Sequence, residues 1–171
     1  MVSSELLREG LPLYLAFVFS ASLHEAAHAW AAKRGGDLTA YHGGQVSLDP
    51  RPHIRREPVG LVFLPLLFLA NTGWPLGFAS APYDPAWARR YPRRAAWMAL
   101  AGPASNLAVV LVCALGIQLG LALGGFVVPD VVGFSHVAQA ADAGAAGGWS
   151  LAAKVLSVFF SMNLVLFLLN M

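Results

Sequence analysis

Ser22-Leu23-His24-Glu25-Ala26-Ala27-His28 stands inside an apolar run, residues 10–32, and its reading decides what kind of protein this is. The run is 23 residues long. A helix needs about 20 such residues to cross a bilayer. On that helix His24 and His28 are i and i+4, so their rings leave one face a turn apart. The spacing lets two imidazole nitrogens reach one Zn²⁺ at about 2.0–2.1 Å. Glu25 stands beside such an ion and need not bind it. It is placed to take a proton from an attacking water and to give it to a leaving amine. The pattern is H-E-x-x-H, a zinc-hydrolase signature. Ionisable groups inside an apolar span are costly and mark function. Three within five residues need partners, and a metal supplies one.

Working outward, the rest of the chain has the same apolar character. Of 171 residues, 57% are hydrophobic and 12% are charged. Soluble domains carry about 25% charged residues, so this composition excludes disorder and an ordinary soluble globule. The net charge of +2 does not call for nucleic acid as a partner. The expectation is an all-α membrane protein, one membrane-embedded domain over residues 1–171, with the lipid bilayer as its solvent. The single cysteine, Cys113, excludes an intrachain disulfide framework and reads as a buried, inert thiol.

Two further spans follow the first, residues 95–125 and 151–171. Residues 59–70 are also apolar, but 12 residues make only about 18 Å of helix, and Pro65 interrupts their middle. The first span is an anchor that stays. Glu5 and Glu9 flank its start beside Arg8, and no small-residue cleavage site follows.

Charge placement sets the expected topology. Lys33, Arg34, Arg51, Arg55 and Arg56 lie in the loop at 33–58, and Arg89, Arg90, Arg93 and Arg94 in the loop at 79–94. If 59–78 dips in and returns, both loops share one side and hold nine of the eleven positive charges. The positive-inside rule then places both in the cytoplasm. Three transmembrane helices and a re-entrant 59–78 are therefore expected. A re-entrant backbone must be buried in protein or line a wet cavity, so it should sit against a site.

Smaller readings complete the picture. His24 lies about 12 Å, and Asn106 of the second span about 16 Å, from the ends of their helices on the basic side, at a rise of 1.5 Å per residue. They fall at similar depth, and Asn106 needs a polar partner there. Trp74, Trp87, Tyr91, Trp97 and Trp149 read as an aromatic belt. Ala104, Ala108, Gly116, Gly120 and Gly124 read as a small-residue packing face. His42, His53 and His136 read as solvated or interfacial loop histidines. The loop at 126–149, without Lys or Arg, reads as a short outer connection.

Four passages resemble the site-2 protease family of zinc intramembrane metalloproteases, in particular its small bacterial members. His24-Glu25-Ala26-Ala27-His28 matches the zinc motif. Gly36-Asp37 with Gly44-Gln45-Val46-Ser47-Leu48-Asp49-Pro50 is similar to the stretch after that helix. Gly77-Phe78-Ala79-Ser80-Ala81-Pro82 is similar to an extended segment near the active site. Ala101-Gly102-Pro103-Ala104-Ser105-Asn106 matches A-G-P-x-x-N. The resemblance implies cleavage of membrane-embedded peptide bonds at the plasma membrane, with the active site toward the cytoplasm and a membrane-spanning protein as substrate. His24 and His28 would bind Zn²⁺ and Glu25 would be the general base. Asn106 and Asn170 are the candidates for oxyanion or polar support. The family's third zinc ligand is an Asp in an N-x-x-P-x-P-x-L-D-G passage, of which Asn170 matches the opening residue. That Asp would fall eight residues further on, so the sequence is expected to be a C-terminally incomplete form. Asp49 is not a substitute for it. A metal or proton transporter is the alternative from another class, but one compact cluster without an internal repeat favours hydrolysis. An inactive membrane scaffold is the remaining alternative for the incomplete form.

Overall fold

The structure, a computed structural model, describes residues 6–142 and 147–171, with backbone alone at 6 and 7. Glu5, and the part of the 126–149 connection at 143–146, lie outside the described residues. The chain is mostly helical. A π-helical turn, Leu6–Gly10, leads into α1, Leu11–Gly35. Pro12 sits in its first turn, where a missing N–H costs nothing. Gly36 ends it at φ 97°, with its N–H on Lys33 O at 3.1 Å and the Asp37 N–H on Ala32 O at 2.9 Å. That left-handed stop suits glycine alone among common residues.

Two short helices, α2 (Thr39–His42) and α3 (Pro50–Arg56), fill the first basic loop. A π-helical turn, Val59–Phe63, continues into α4, Leu64–Thr72, and the chain then runs back without regular structure to α5, Pro85–Arg90. Asp-Pro starts both α3 and α5. Asp49 accepts from the Arg51 N–H at 3.0 Å and Asp84 from the Ala86 N–H at 2.8 Å, while the prolines occupy the first turn.

The outward and return limbs are tied together. The Phe78 N–H donates to Gly60 O at 3.1 Å, and Ser80 Oγ donates to Glu57 Oε1 at 2.6 Å. Arg56 Nε donates to Ser80 O at 3.1 Å. Gly60 and Gly77 meet backbone to backbone, which leaves no room for a Cβ at either. The limbs therefore begin and end at one end of the molecule. At the far tip Trp74 stacks edge-on against Phe134, with centroids 4.3 Å apart.

The remaining elements are α6 (Pro92–Ala122), a two-stranded antiparallel ladder of β1 (Phe126–Val127) and β2 (Gln139–Ala140), and α7 (Gly148–Leu169). The ladder and an isolated bridge between Gly133 and His136 depart from the all-α expectation, and both occupy the connection read as a short outer loop. The connection is tied to α7 through Ser157 Oγ, which accepts from the N–H groups of Val137 and Ala138 at 3.0 and 3.1 Å. Lys154 of α7 pairs with Glu9 at 2.8 Å. Both groups are part-exposed, so the pair adds on the order of 1 kcal/mol or less.

Helices α1, α6 and α7 pack pairwise, and Phe17, Val18, Ala21, Leu61 and Met162 form the main core. The face that α6 buries is Gly102, Asn106, Val110, Cys113, Ile117 and Gly120. This corrects the small-residue stripe. Gly116 and Gly120 pack against Leu156 and Phe126, but Ala104 and Ala108 are exposed. The buried face turns where the polar Asn106 must go inward. By length and composition α6 and α7 can cross a membrane. Helix α1 is as long but carries Ser20, Ser22, His24, Glu25 and His28 in its middle.

Trp87 corrects the aromatic-belt reading. It is buried against Gly35, with its indole N–H on Gly35 O at 3.1 Å. Arg94 Nη1 reaches the same carbonyl at 3.0 Å. Asp37 completes this lock. It accepts from Thr39 N–H at 2.9 Å, Thr39 Oγ at 2.6 Å and Asp84 N–H at 2.9 Å. Burial alone would raise the Asp37 carboxyl, but these hydrogen bonds outweigh it and hold its pKa below the ordinary 3.8. A carboxyl depressed on folding adds stability above its unfolded pKa, about 3.9, and loses it as pH falls through the folded value. Asp37→Asn should therefore lower the melting temperature at pH 7, and the gap from the parent should narrow below about pH 4. An equal gap at every pH would show that the carboxylate charge is not what binds the two loops.

Candidate metal centre

Helix α1 carries His24, Glu25 and His28 toward α6 and the return limb. Glu25 and His24 are 6% and 7% exposed. The two imidazoles lie edge to face, with centroids 4.6 Å apart. Each ring is held from behind. His28 Nδ1 is 2.7 Å from Met98 O, and His24 Nδ1 is 2.5 Å from Asn106 Oδ1. Both partners are acceptors, so both Nδ1 atoms carry the proton. In the neutral rings the two Nε2 atoms then present bare lone pairs, and they face each other at 2.9 Å.

Two lone pairs at that separation repel unless a cation lies at them. The donor set suits one, since neutral imidazole nitrogens oriented by carbonyl-type partners are the usual ligands of zinc-class metals. His24, Glu25 and His28 offer one ligand atom each within 4.8 Å of one another, and no other such cluster occurs among the described residues. Glu25 Oε2 is buried without a hydrogen-bond partner, while the Ala81 N–H faces the same carboxylate.

Gly102 makes the close approach of α6 possible. A Cβ there would fall 2.5 Å from His24 Nε2 and 2.5 Å from His28 Cε1. Next to it, Pro103 sits inside α6 and withholds the N–H that Ala99 O would accept.

Two cavities open onto the cluster. One, about 240 Å³, lies between Phe17, Gly77, Phe78 and Leu166; the other, about 280 Å³, lies between Ser80, Tyr83, Met98 and Ala99. His24, Glu25, Ala79 and Asn170 border both. The return limb, residues 77–83, thus forms a wall of both.

The structure brings His24, Glu25 and His28 together as the spacing requires. Asn170 stands at the rim with one amide hydrogen on Leu166 O at 2.7 Å. Asn106 takes the supporting place. It is fully buried behind His24 and donates to Asn163 Oδ1 at 2.8 Å. Asp49 is part-exposed, caps α3 and pairs with Arg51 at 2.9 Å. His42 and His136 are exposed. His53 corrects its reading: it is 1% exposed, with Nε2 on Ser47 O at 3.0 Å. Sequence reasoning gave no role to Asn163, Gly102 or the Met98 carbonyl. Asn163 had a usable signal, a polar side chain within an apolar span. Gly102 stood inside the matched A-G-P-x-x-N passage without a role of its own, and the Met98 carbonyl, a backbone atom, had no signal.

Comparison with curated proteins gives two kinds of relative. Over 159 residues the chain is 26% identical to "Putative zinc metalloprotease YwhC" of Bacillus subtilis, covering 93% of this chain and 61% of that protein. Over 95 residues it is 38% identical to "Putative zinc metalloprotease Rip2" of Mycobacterium tuberculosis, covering 56% of this chain and 35% of that protein. The chain has homologues named as zinc metalloproteases. They uphold the resemblance to the site-2 protease family. The chain spans less than two thirds of the length of these relatives. No family model matches it, and no solved structure matches it.

Gly102→Ala gives a direct check on the centre. Alanine favours helix over glycine by about 1 kcal/mol, so α6 itself should not suffer. The added methyl must push the rings off their places. Metal affinity, measured by competition with a chelator, should fall about tenfold or more, in the range seen when ligand orientation is disturbed. Unchanged affinity would mean that the metal does not bind at the two Nε2 atoms.

Proposed function

We propose that this chain is the catalytic part of a zinc-dependent intramembrane endopeptidase, hydrolysing peptide bonds of membrane-embedded protein substrates. The observation that carries the reading is the pair of bare imidazole nitrogens with the Glu25 carboxylate beside them. His24 and His28 would hold zinc there, and when bound it would supply Lewis acidity. Glu25 accepts the proton of the attacking water at its carboxylate and returns it to the departing amine nitrogen. Asn170, at the rim beside Glu25, has a second amide hydrogen for the developing oxyanion. One such donor supplies about 2.7–4 kcal/mol.

The reading of the surroundings follows from the same geometry. The hairpin formed by 59–78 starts and ends among basic residues, which supports a re-entrant element with both basic loops in the cytoplasm. Outward-facing Leu111, Val112, Leu115 and Leu119 of α6 and Leu168 of α7 would face lipid. Helix α1, with α6 and α7, would be the third span. Residues 77–82 lie at the site outside any helix or strand, and an unwound substrate segment could pair with them as an added strand.

The test uses the protein as encoded, purified into liposomes with a membrane-helix substrate. Glu25→Gln keeps shape and should retain zinc, while cleavage drops by about 10²–10⁴, the range for a lost general acid–base. His24→Ala should lose zinc and cleavage together. Retained cleavage in Glu25→Gln would remove Glu25 from the mechanism. Metal or proton flux without cleavage across a panel of membrane helices would mark a transporter instead. Topology is checked by Arg55→Cys and Arg90→Cys, both of which should resist a membrane-impermeant thiol label applied to intact cells. Labelling at one position alone would mean that 59–78 crosses the membrane.

A further inference from the structure

The tautomer of His24 decides whether its Nε2 has a lone pair for a metal, and His24 Nδ1 faces an amide, Asn106. An amide has two nearly equal ends. Turned one way it offers an oxygen to Nδ1–H; turned the other way it offers an N–H and drives the proton to Nε2. Nothing within Asn106 chooses between them. The choice is made further back.

Asn163, on α7, is fully buried and 2.8 Å from Phe159 O. A backbone carbonyl carries no proton, so the end of Asn163 that meets it is Nδ2. The second hydrogen of that nitrogen meets Ser20 Oγ at 2.9 Å. Asn163 Oδ1 must then face Asn106, where it lies 2.8 Å from Nδ2. Asn106 Oδ1 must in turn face His24 Nδ1. Reversing either amide would place two N–H groups against each other, or two oxygens. Ser20, Asn106 and Asn163 are 2% exposed or less, so water cannot repair the mismatch.

We infer that Asn163 is a positioning residue for the metal centre: through Asn106 it fixes His24 in the Nδ1-protonated form and leaves Nε2 bare. The polarity originates at the Phe159 carbonyl, one turn up α7, and passes through two amides to the ring. His28 needs no such relay, because Met98 O meets its Nδ1 directly. The two rings are therefore set by different helices, His28 by α6 and His24 by α7 through α6. The inference rests on the proposed role of His24 as a metal ligand, but its first consequence is the tautomer itself, which can be read without metal.

The experiment uses the protein in detergent or nanodiscs. Histidine ¹⁵N shifts of the metal-free protein should show His24 as a single Nδ1-protonated tautomer. In Asn163→Leu, similar in size and without polarity, Asn106 is released to turn. His24 should then show an Nε2-protonated population, and zinc affinity should fall about 10–100-fold, as for lost outer-shell partners. The combination Asn163→Leu with Asn106→Asp separates relay from scaffold. A carboxylate presents oxygen to Nδ1–H whichever way it turns, so tautomer and zinc affinity should return toward the parent. A merely structural role predicts further damage from an added buried charge. Rescue supports the relay. An unchanged tautomer in Asn163→Leu, or no rescue in the double variant, overturns it. If Asn163→Leu does not fold, the unaltered protein still decides, because an Nε2-protonated His24 there would overturn the relay. The expected tautomer changes in a protein that binds no zinc would uphold the relay and remove the zinc reading alone.

Discussion

Two nitrogen lone pairs aimed at each other across 2.9 Å are the constraint on which the rest of this structure depends. Such an arrangement is unfavourable by itself, so it persists only if the surrounding structure holds both rings from behind. Carbonyl-type acceptors do this at each Nδ1. The cost lies in the folded scaffold, and a bound cation would offset it. Preorganised ligands give a metal affinity that depends little on rearrangement at the moment of binding.

The scaffold meets this demand with small residues and buried amides. Gly102 lets the α6 backbone come against the imidazoles, where any side chain would displace them. Gly60 and Gly77 let the two limbs of the hairpin touch, which brings residues 77–83 to the walls of both cavities. On the proposed reading lipid would cover the bundle and give no hydrophobic drive between helices, so close approach with interhelical hydrogen bonds would take its place. The line from Ser20 of α1 through Asn163 of α7 to Asn106 of α6 joins all three long helices at the depth of the site. The bonds that hold the bundle together are thus the bonds that aim His24.

Position is maintained at the edges as well. Ser80 is gripped by Glu57 and Arg56, and its neighbour Ala81 presents an N–H to Glu25. Trp87, Arg94 and Asp37 lock the start of α5 and α6 to the end of α1. The return limb is therefore anchored at both ends and runs beside the carboxylate without regular structure.

The residues by themselves determined the His24, Glu25 and His28 cluster and the helical architecture. H-E-x-x-H encodes its own geometry, because i and i+4 share a helix face whatever surrounds them, and the apolar runs declare helices of membrane-crossing length through composition alone. What only the tertiary structure decided were relations between distant residues. Asn106 turned inward because His24 and Asn163 wait on two other helices, 82 and 57 residues away in sequence, and that rotation of α6 left Ala104 and Ala108 outside the packing face. Trp87 became buried, not interfacial, because Gly35 and Arg94 close over it. His53 lost its solvent to the fold of its own loop, held by the Ser47 carbonyl. The tautomer of His24 has no local signature at all. It depends on the direction of two amides, and an amide's direction is set by what it meets across the helix interface, which periodicity and spacing do not encode.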